Sequence, residues 1–95
     1  MAAYLIAEIS VTDPELYEEY KKLTPAAAAA FDGKFLVRGG SLITLEGDWN
    51  PERMVILEFP SVERAREWWN SDIYTEARSI RQKAAKTKMI IVEGV

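Results

Sequence analysis

The sequence predicts an α+β fold whose elements run βαββαβ. Three observations carry that expectation. Tyr4 to Ser10 alternates apolar and polar with period two, Met54 to Phe59 and Met89 to Val92 are short apolar runs, and between them lie segments with helical spacing and proline-marked starts. No linker or composition shift interrupts the order, so residues 1–95 read as a single domain.

In the first strand Leu5, Ala7 and Ile9 share one face, and Tyr4, Ile6, Glu8 and Ser10 the other. Thr12-Asp13-Pro14-Glu15 starts a helix, with Asp13 as N-cap and proline at the first helical position. Leu16, Tyr20 and Leu23 supply its apolar stripe, with Tyr17 beside it. Pro25 cannot continue that helix without a kink, so Thr24 is expected to cap a second short segment over Ala26 to Phe31, ended by Asp32-Gly33.

Lys34 to Glu46 reads as one long strand bent at Gly39-Gly40, because glycine reaches the backbone angles of a bulge or bend without Cβ strain. Gly47 to Pro51 is a turn leading into Met54 to Phe59. Ser61 caps the next helix, Ala65, Trp68 and Trp69 follow at helical spacing, and Asn70 or Ser71 re-caps a second segment. Ile73, Ala77, Ile80 and Ala84 extend its stripe toward the final strand.

The whole is the ferredoxin-like arrangement, with a four-stranded antiparallel sheet and both helical segments on one face. Its other face is too apolar to meet water, since Ile6, Ile56 and either Ile90 or Ile91 fall on it. Exposing such side chains forgoes about 1.5–3 kcal/mol each. Two subunits packed open face to open face solve this, forming an isologous homodimer that encloses a cavity between the sheets.

Composition excludes several functions. The chain has 48% hydrophobic and 28% charged residues, which makes it globular. It has neither cysteine nor histidine, so disulfides, thiol catalysis, a Ser-His-Asp triad and most zinc or iron sites are excluded, and no metal or cofactor is expected. A net charge of −3 argues against nucleic acid or an anionic membrane as partner, and the apolar runs are too short to span a bilayer. A cytoplasmic protein is the default expectation. RNA-binding modules share the βαββαβ order, but they need exposed aromatics on the sheet face, where this chain places aliphatics and carboxylates.

Phe35-Leu36-Val37-Arg38-Gly39-Gly40, with Leu45-Glu46-Gly47-Asp48-Trp49, Glu58-Phe59-Pro60-Ser61 and Trp68 to Tyr74, resembles domain-of-unknown-function family thirteen-thirty over nearly the whole chain. The resemblance implies a dimeric α/β barrel, related in fold to small cofactor-free monooxygenases and muconolactone isomerase-like proteins. It implies no particular activity. Trp69 departs from a tyrosine common in that pattern, so a role that needs a phenol there does not carry over.

Strand parity nominates the site. Glu8, Arg38 and Glu58 each fall on the open face, and buried charges must be paired. With one bent strand from 34 to 46 paired to 53–59, two clusters are expected: Arg38 with Glu58, and Glu8 with Arg53 and Glu46. Arg38 then either holds the bend through a salt bridge or binds a substrate carboxylate or enolate with its two-pronged donor geometry. Glu58, desolvated in the barrel, serves as general acid or base in the catalytic reading. Tyr17, Tyr20, Trp69, Tyr74 and Arg78 are candidate ligand contacts, with core or rim packing as the alternative. Trp68 and Trp69 cannot share a helix face, so one is core and the other lines the cavity mouth or dimer seam. Trp49, in a turn, suits a partner-subunit contact. Function narrows to binding or converting a small anionic organic molecule, against a non-catalytic ligand-binding or structural homodimer.

Overall fold

Alternation builds the first strand as expected. In the computed structural model, which describes residues 1–95, β1 spans Ala3–Val11 with Ala3, Leu5, Ala7 and Ile9 buried. Tyr4, Ile6, Glu8 and Ser10 are half-buried on the opposite face. Helix α1 (Pro14–Ala29) starts where Asp13 accepts a hydrogen bond from the Leu16 N–H at 3.2 Å.

The helix does not break at Pro25. It runs through, with Pro25 inside it and Thr24 buried in its middle. The physical reason is visible one turn earlier. Proline has no N–H, so the carbonyl of Lys21, four residues back, loses its helical donor. Two other groups replace it: the Thr24 hydroxyl donates to that oxygen at 3.2 Å, and Arg38 Nη2 donates to it at 3.0 Å. Past the end of α1 the Gly33 N–H donates to the Ala28 carbonyl at 2.8 Å, with Asp32 at a positive φ of 62° that aspartate tolerates better than most residues.

Strand β2 (Lys34–Arg38) is short. The expected bent strand to residue 46 does not form, because Gly39 takes a φ of 74° and its N–H closes onto the Met54 carbonyl at 2.9 Å. The positive φ is what requires glycine there, and a Cβ would in addition push the Arg53 guanidinium away from the backbone. Residues 40–52 then pass to β3 (Arg53–Phe59) without strand structure.

Beyond β3, Ser61 caps α2 (Val62–Asn70) by accepting from the Arg64 N–H at 3.1 Å. The Ser71 hydroxyl then works in both directions: it donates to the Trp68 carbonyl at 2.6 Å and accepts from the Tyr74 N–H at 3.2 Å, opening α3 (Asp72–Ala84). Strand β4 (Ala85–Glu93) begins with no intervening loop. The sheet is antiparallel with order β2-β3-β1-β4, the ferredoxin-like arrangement with its second helix divided at Ser71.

Register separates two faces. Phe35, Leu57, Leu5 and Ile91 form one row across the sheet under the helices, where Phe59, Trp68, Tyr74 and the alanines of all three helices complete the core. The other face carries Val37, Ile56, Ile6 and Ile90 in a row across all four strands. Ile90, not Ile91, is the member from β4, and it stands 57% exposed.

Replacing the helix-interior proline should restore the missing N–H. Pro25→Ala is expected to raise stability by about 1–3 kcal/mol in urea denaturation. Unchanged or lower stability would show that the ring is not a strain on α1.

Candidate functional site

The central fact about the site is that β2 changes sides partway along. Phe35 pairs with Leu57, yet Val37 pairs with Ile56, so Leu36 is the extra residue of a β-bulge. A one-residue slip sends every later side chain to the opposite face. Val37 therefore joins the open face, and Arg38, opposite Val55, turns under the helices.

This corrects the expected charge pairs. Glu58 lies on the open face between Tyr4 and Lys34, across the sheet from Arg38. Arg53 shares the parity of Val55 and Leu57 and pairs with Ile9, so it too faces the helices. Glu8 stays on the open face opposite Met54 and accepts from Trp49 Nε1–H at 2.9 Å. Glu46 is exposed within residues 40–52. Neither expected cluster forms, and the four ion pairs of the chain involve none of these five residues.

What the structure does bring together is Arg38, Arg53, Tyr17, Tyr20 and Thr24. They line a cleft between α1 and the sheet, closed at its inner end by Trp68. The cleft lies within the chain, on the helix side of the sheet and away from its open face. Its floor is the row Val55, Ala7 and Met89, and the methyl of Ala7 is what leaves depth at the centre. Its walls stand close, leaving room for about one water molecule between them.

The two guanidiniums sit at the mouth, in a basin they share with Lys21, Lys22 and Glu18. Both lysines are already engaged, Lys21 with Glu18 at 3.0 Å and Lys22 with Glu19 at 3.2 Å. The arginines have no carboxylate partner of that kind. Arg38 uses only Nη2, on the Lys21 carbonyl and on Thr24 Oγ1 at 3.3 Å, while its Cζ lies 4.7 Å from the Phe35 ring centre. Arg53 uses only Nε, donating to the Tyr17 hydroxyl at 3.2 Å. No carboxylate pairs with either one.

Deeper in, the Tyr20 and Tyr74 hydroxyls are 2.9 Å apart. Burial first, then the neighbouring Tyr74 through charge and hydrogen bond, push the Tyr20 phenol far above its ordinary value of 10.0. Tyr20 is thus held neutral, able to donate or accept a hydrogen bond but not to act as a base. Tyr74 is fully buried behind it, stacked 3.9 Å from the Trp68 ring centre. Trp68 is therefore the core member of the tryptophan pair. Trp69 and Arg78 lie outside the cleft, the guanidinium 4.3 Å over the indole ring. Sequence reasoning missed Ala7, Lys21 and Thr24 as parts of the site. The signal for the latter two was Pro25, whose missing N–H frees a carbonyl one turn back.

The chain belongs to the family described as Domain of unknown function (DUF1330), which matches residues 2–95. No curated protein matches it. Among solved structures it is similar to a protein of unknown function from Rhodopseudomonas palustris, with a TM-score of 0.79 at 21% identity, covering 99% of this chain and 82% of that one. A dimeric ferredoxin-like protein of unknown function from Jannaschia sp. matches with a TM-score of 0.76 at 11% identity, over 99% of this chain and 100% of that one. SnoaB, a cofactor-independent oxygenase from Streptomyces nogalater, matches with a TM-score of 0.71 at 14% identity, over 99% and 93%. At these identities the likeness establishes the fold. No helix is long and apolar enough to cross a membrane.

The buried phenol gives a pH signature. Its folded value is raised, so the stability it contributes is complete below pH 10, where the unfolded phenol is still protonated, and is lost as pH climbs above that value toward the folded one. Stability should fall by up to about 1.4 kcal/mol per pH unit above pH 10, and Tyr20→Phe should flatten that part of the profile. An equally steep fall in the variant would assign it to other groups.

Proposed function

We propose that this protein is a homodimer that binds a small, planar, largely apolar organic anion in the cleft between α1 and the sheet. One observation carries the ligand class: two guanidiniums at the mouth of an apolar slot, each with unused N–H groups and no carboxylate partner. Arginine's rigid fork suits a carboxylate or enolate oxygen. The slot behind it is lined by Leu5, Ala7, Ile9, Phe35 and Trp68, and its walls, which stand close in the unliganded chain, have to part for a flat ring to enter between them. Tyr17 and Thr24, which already touch the arginines, hold them toward the opening.

Binding is favoured over conversion by side-chain proton transfer. The cleft lining contains no carboxylate, Tyr20 is held neutral, and Glu58 stands on the far side of the sheet. Pairing Arg38 with Glu58 as catalytic partners would need both on one face. The likeness in fold to a cofactor-independent oxygenase leaves room for chemistry performed by the bound molecule itself, for which binding and desolvation are the protein's part.

The homodimer reading rests on the open face. The row Val37, Ile56, Ile6 and Ile90 is flanked on one side by Lys34 and Glu58 and on the other by Glu8 and Lys88, so the face offers both signs of charge around an apolar centre. Similar ferredoxin-like structures are described as dimeric.

Two measurements test the reading. In calorimetric titration 2-naphthoate should bind and the neutral 2-naphthamide should not. Arg53→Gln should weaken the naphthoate at least ~10-fold, as loss of a charge-assisted hydrogen bond does. Ala7→Leu should abolish binding by filling the slot. Equal binding of acid and amide would rule out the arginine anchor. In sedimentation, Ile90→Lys should convert a dimer to a monomer with little change in the subunit's fold, and a persistent dimer would move the interface elsewhere.

A further inference from the structure

A further charged group lies at the end of α3, close enough to Tyr20 that its charge partly opposes the rise of that phenol. Arg81, in the last turn of α3, is only 5% exposed, yet its guanidinium forms no ion pair and no hydrogen bond within the chain. Its Nε is fully buried and without a partner. A buried cation in this state is expensive, because it has left water and gained nothing in exchange. The negative end of α3 offsets part of that cost, but helix-end charges are fractional and their favourable effect is modest beside desolvation.

The neighbouring residues repeat the pattern. Thr87, on β4 opposite Ile9, also has a buried hydroxyl with no partner. Arg81 and Thr87 line the same recess, between the end of α3 and β4, together with Gln82 and the apolar side chains of Trp69, Ala85 and Met89. The recess has about 610 Å³ of empty space counted to its open side. None of its lining residues is acidic.

We infer that this recess is a second anion site, in which Arg81 and Thr87 together bind a small carboxylate bearing a short apolar substituent. The guanidinium donates from its Nη groups, the threonine hydroxyl, closed over in the unliganded chain, turns toward the recess to donate to the second oxygen, and Gln82 at the rim can add an amide N–H. Because Arg81 is so deeply buried, only a headgroup of carboxylate size reaches it. Trp69 and Met89 then form the apolar wall against which the substituent packs. The site shares only Met89 with the lining of the α1 cleft, so it stands or falls independently of the function proposed above.

The test uses butyrate as probe and butyramide as its neutral control, observed by amide and indole NMR on the intact protein. Butyrate should shift the Thr87 and Gln82 amides and the Trp69 indole N–H in a saturable way, and butyramide should not. Arg81→Lys keeps a charge but loses the fork, and should weaken binding at least ~10-fold. Thr87→Val removes the unpartnered hydroxyl at nearly constant shape, so it should leave the apo protein as stable or more stable while weakening butyrate binding. Running the series in an Arg53→Gln background separates the two sites. Shifts confined to Tyr17 and Trp68, or a wild-type protein silent at these three positions, would overturn the assignment and leave Arg81 solvated by water.

Discussion

Pro25 leaves the Lys21 carbonyl without its helical donor, and the geometry of the cleft depends on how that oxygen is satisfied. Arg38 reaches it from β2, crossing from the sheet to the helix, and Thr24 closes the remaining gap. The arginine can do this only because the bulge at Leu36 has already turned it to the helix side. A disfavoured residue in a helix and an irregular strand are thus two halves of one arrangement. Together they hold a guanidinium at the mouth of an apolar slot while leaving most of its donors free.

The same division of faces explains why Arg38 and Arg53 lie together and Glu58 lies apart. An antiparallel sheet alternates its side chains strictly, so any charge belongs to one side or the other until a bulge intervenes. β3 has no bulge, and Glu58 stays with Ile56 on the open face. β2 has one, and Arg38 crosses over. Gly39 completes the arrangement by making room for the Arg53 guanidinium directly against the backbone. The cationic mouth is therefore a product of backbone irregularity, and the opposite face is left to a continuous aliphatic row.

How much of this is legible in the sequence divides along physical lines. The element order, the caps at Asp13, Ser61 and Ser71, and the faces of β1 and β3 depend on local periodicity and side-chain chemistry, and all are present. The apolar open face is visible in Ile6 and Ile56 for the same reason. The bulge is not, because Phe35-Leu36-Val37 reads equally well in either register and the choice is made by pairing with β3. β2 ends earlier than its composition suggests, because Leu42 to Leu45 has strand-forming residues but no strand beside it to pair with. Pro25 reads as a break, its usual effect, because one of the two donors that satisfy the freed carbonyl, Arg38, lies 17 residues away from it in sequence. Each difference concerns an interaction between distant segments, and the site is built from those interactions.

The link between Pro25 and Arg38 is open to direct measurement by a double-mutant cycle in urea. Arg38→Met in the unaltered chain should cost about 1 kcal/mol, the worth of a partly exposed hydrogen bond from a charged donor to a carbonyl with no helical partner. In a Pro25→Ala background, where residue 25 again supplies an N–H to Lys21, the same substitution should cost clearly less, only what the Thr24 and Phe35 contacts are worth. Equal costs in the two backgrounds would contradict the account, since Arg38 would then be held in place by something other than the carbonyl that proline sets free.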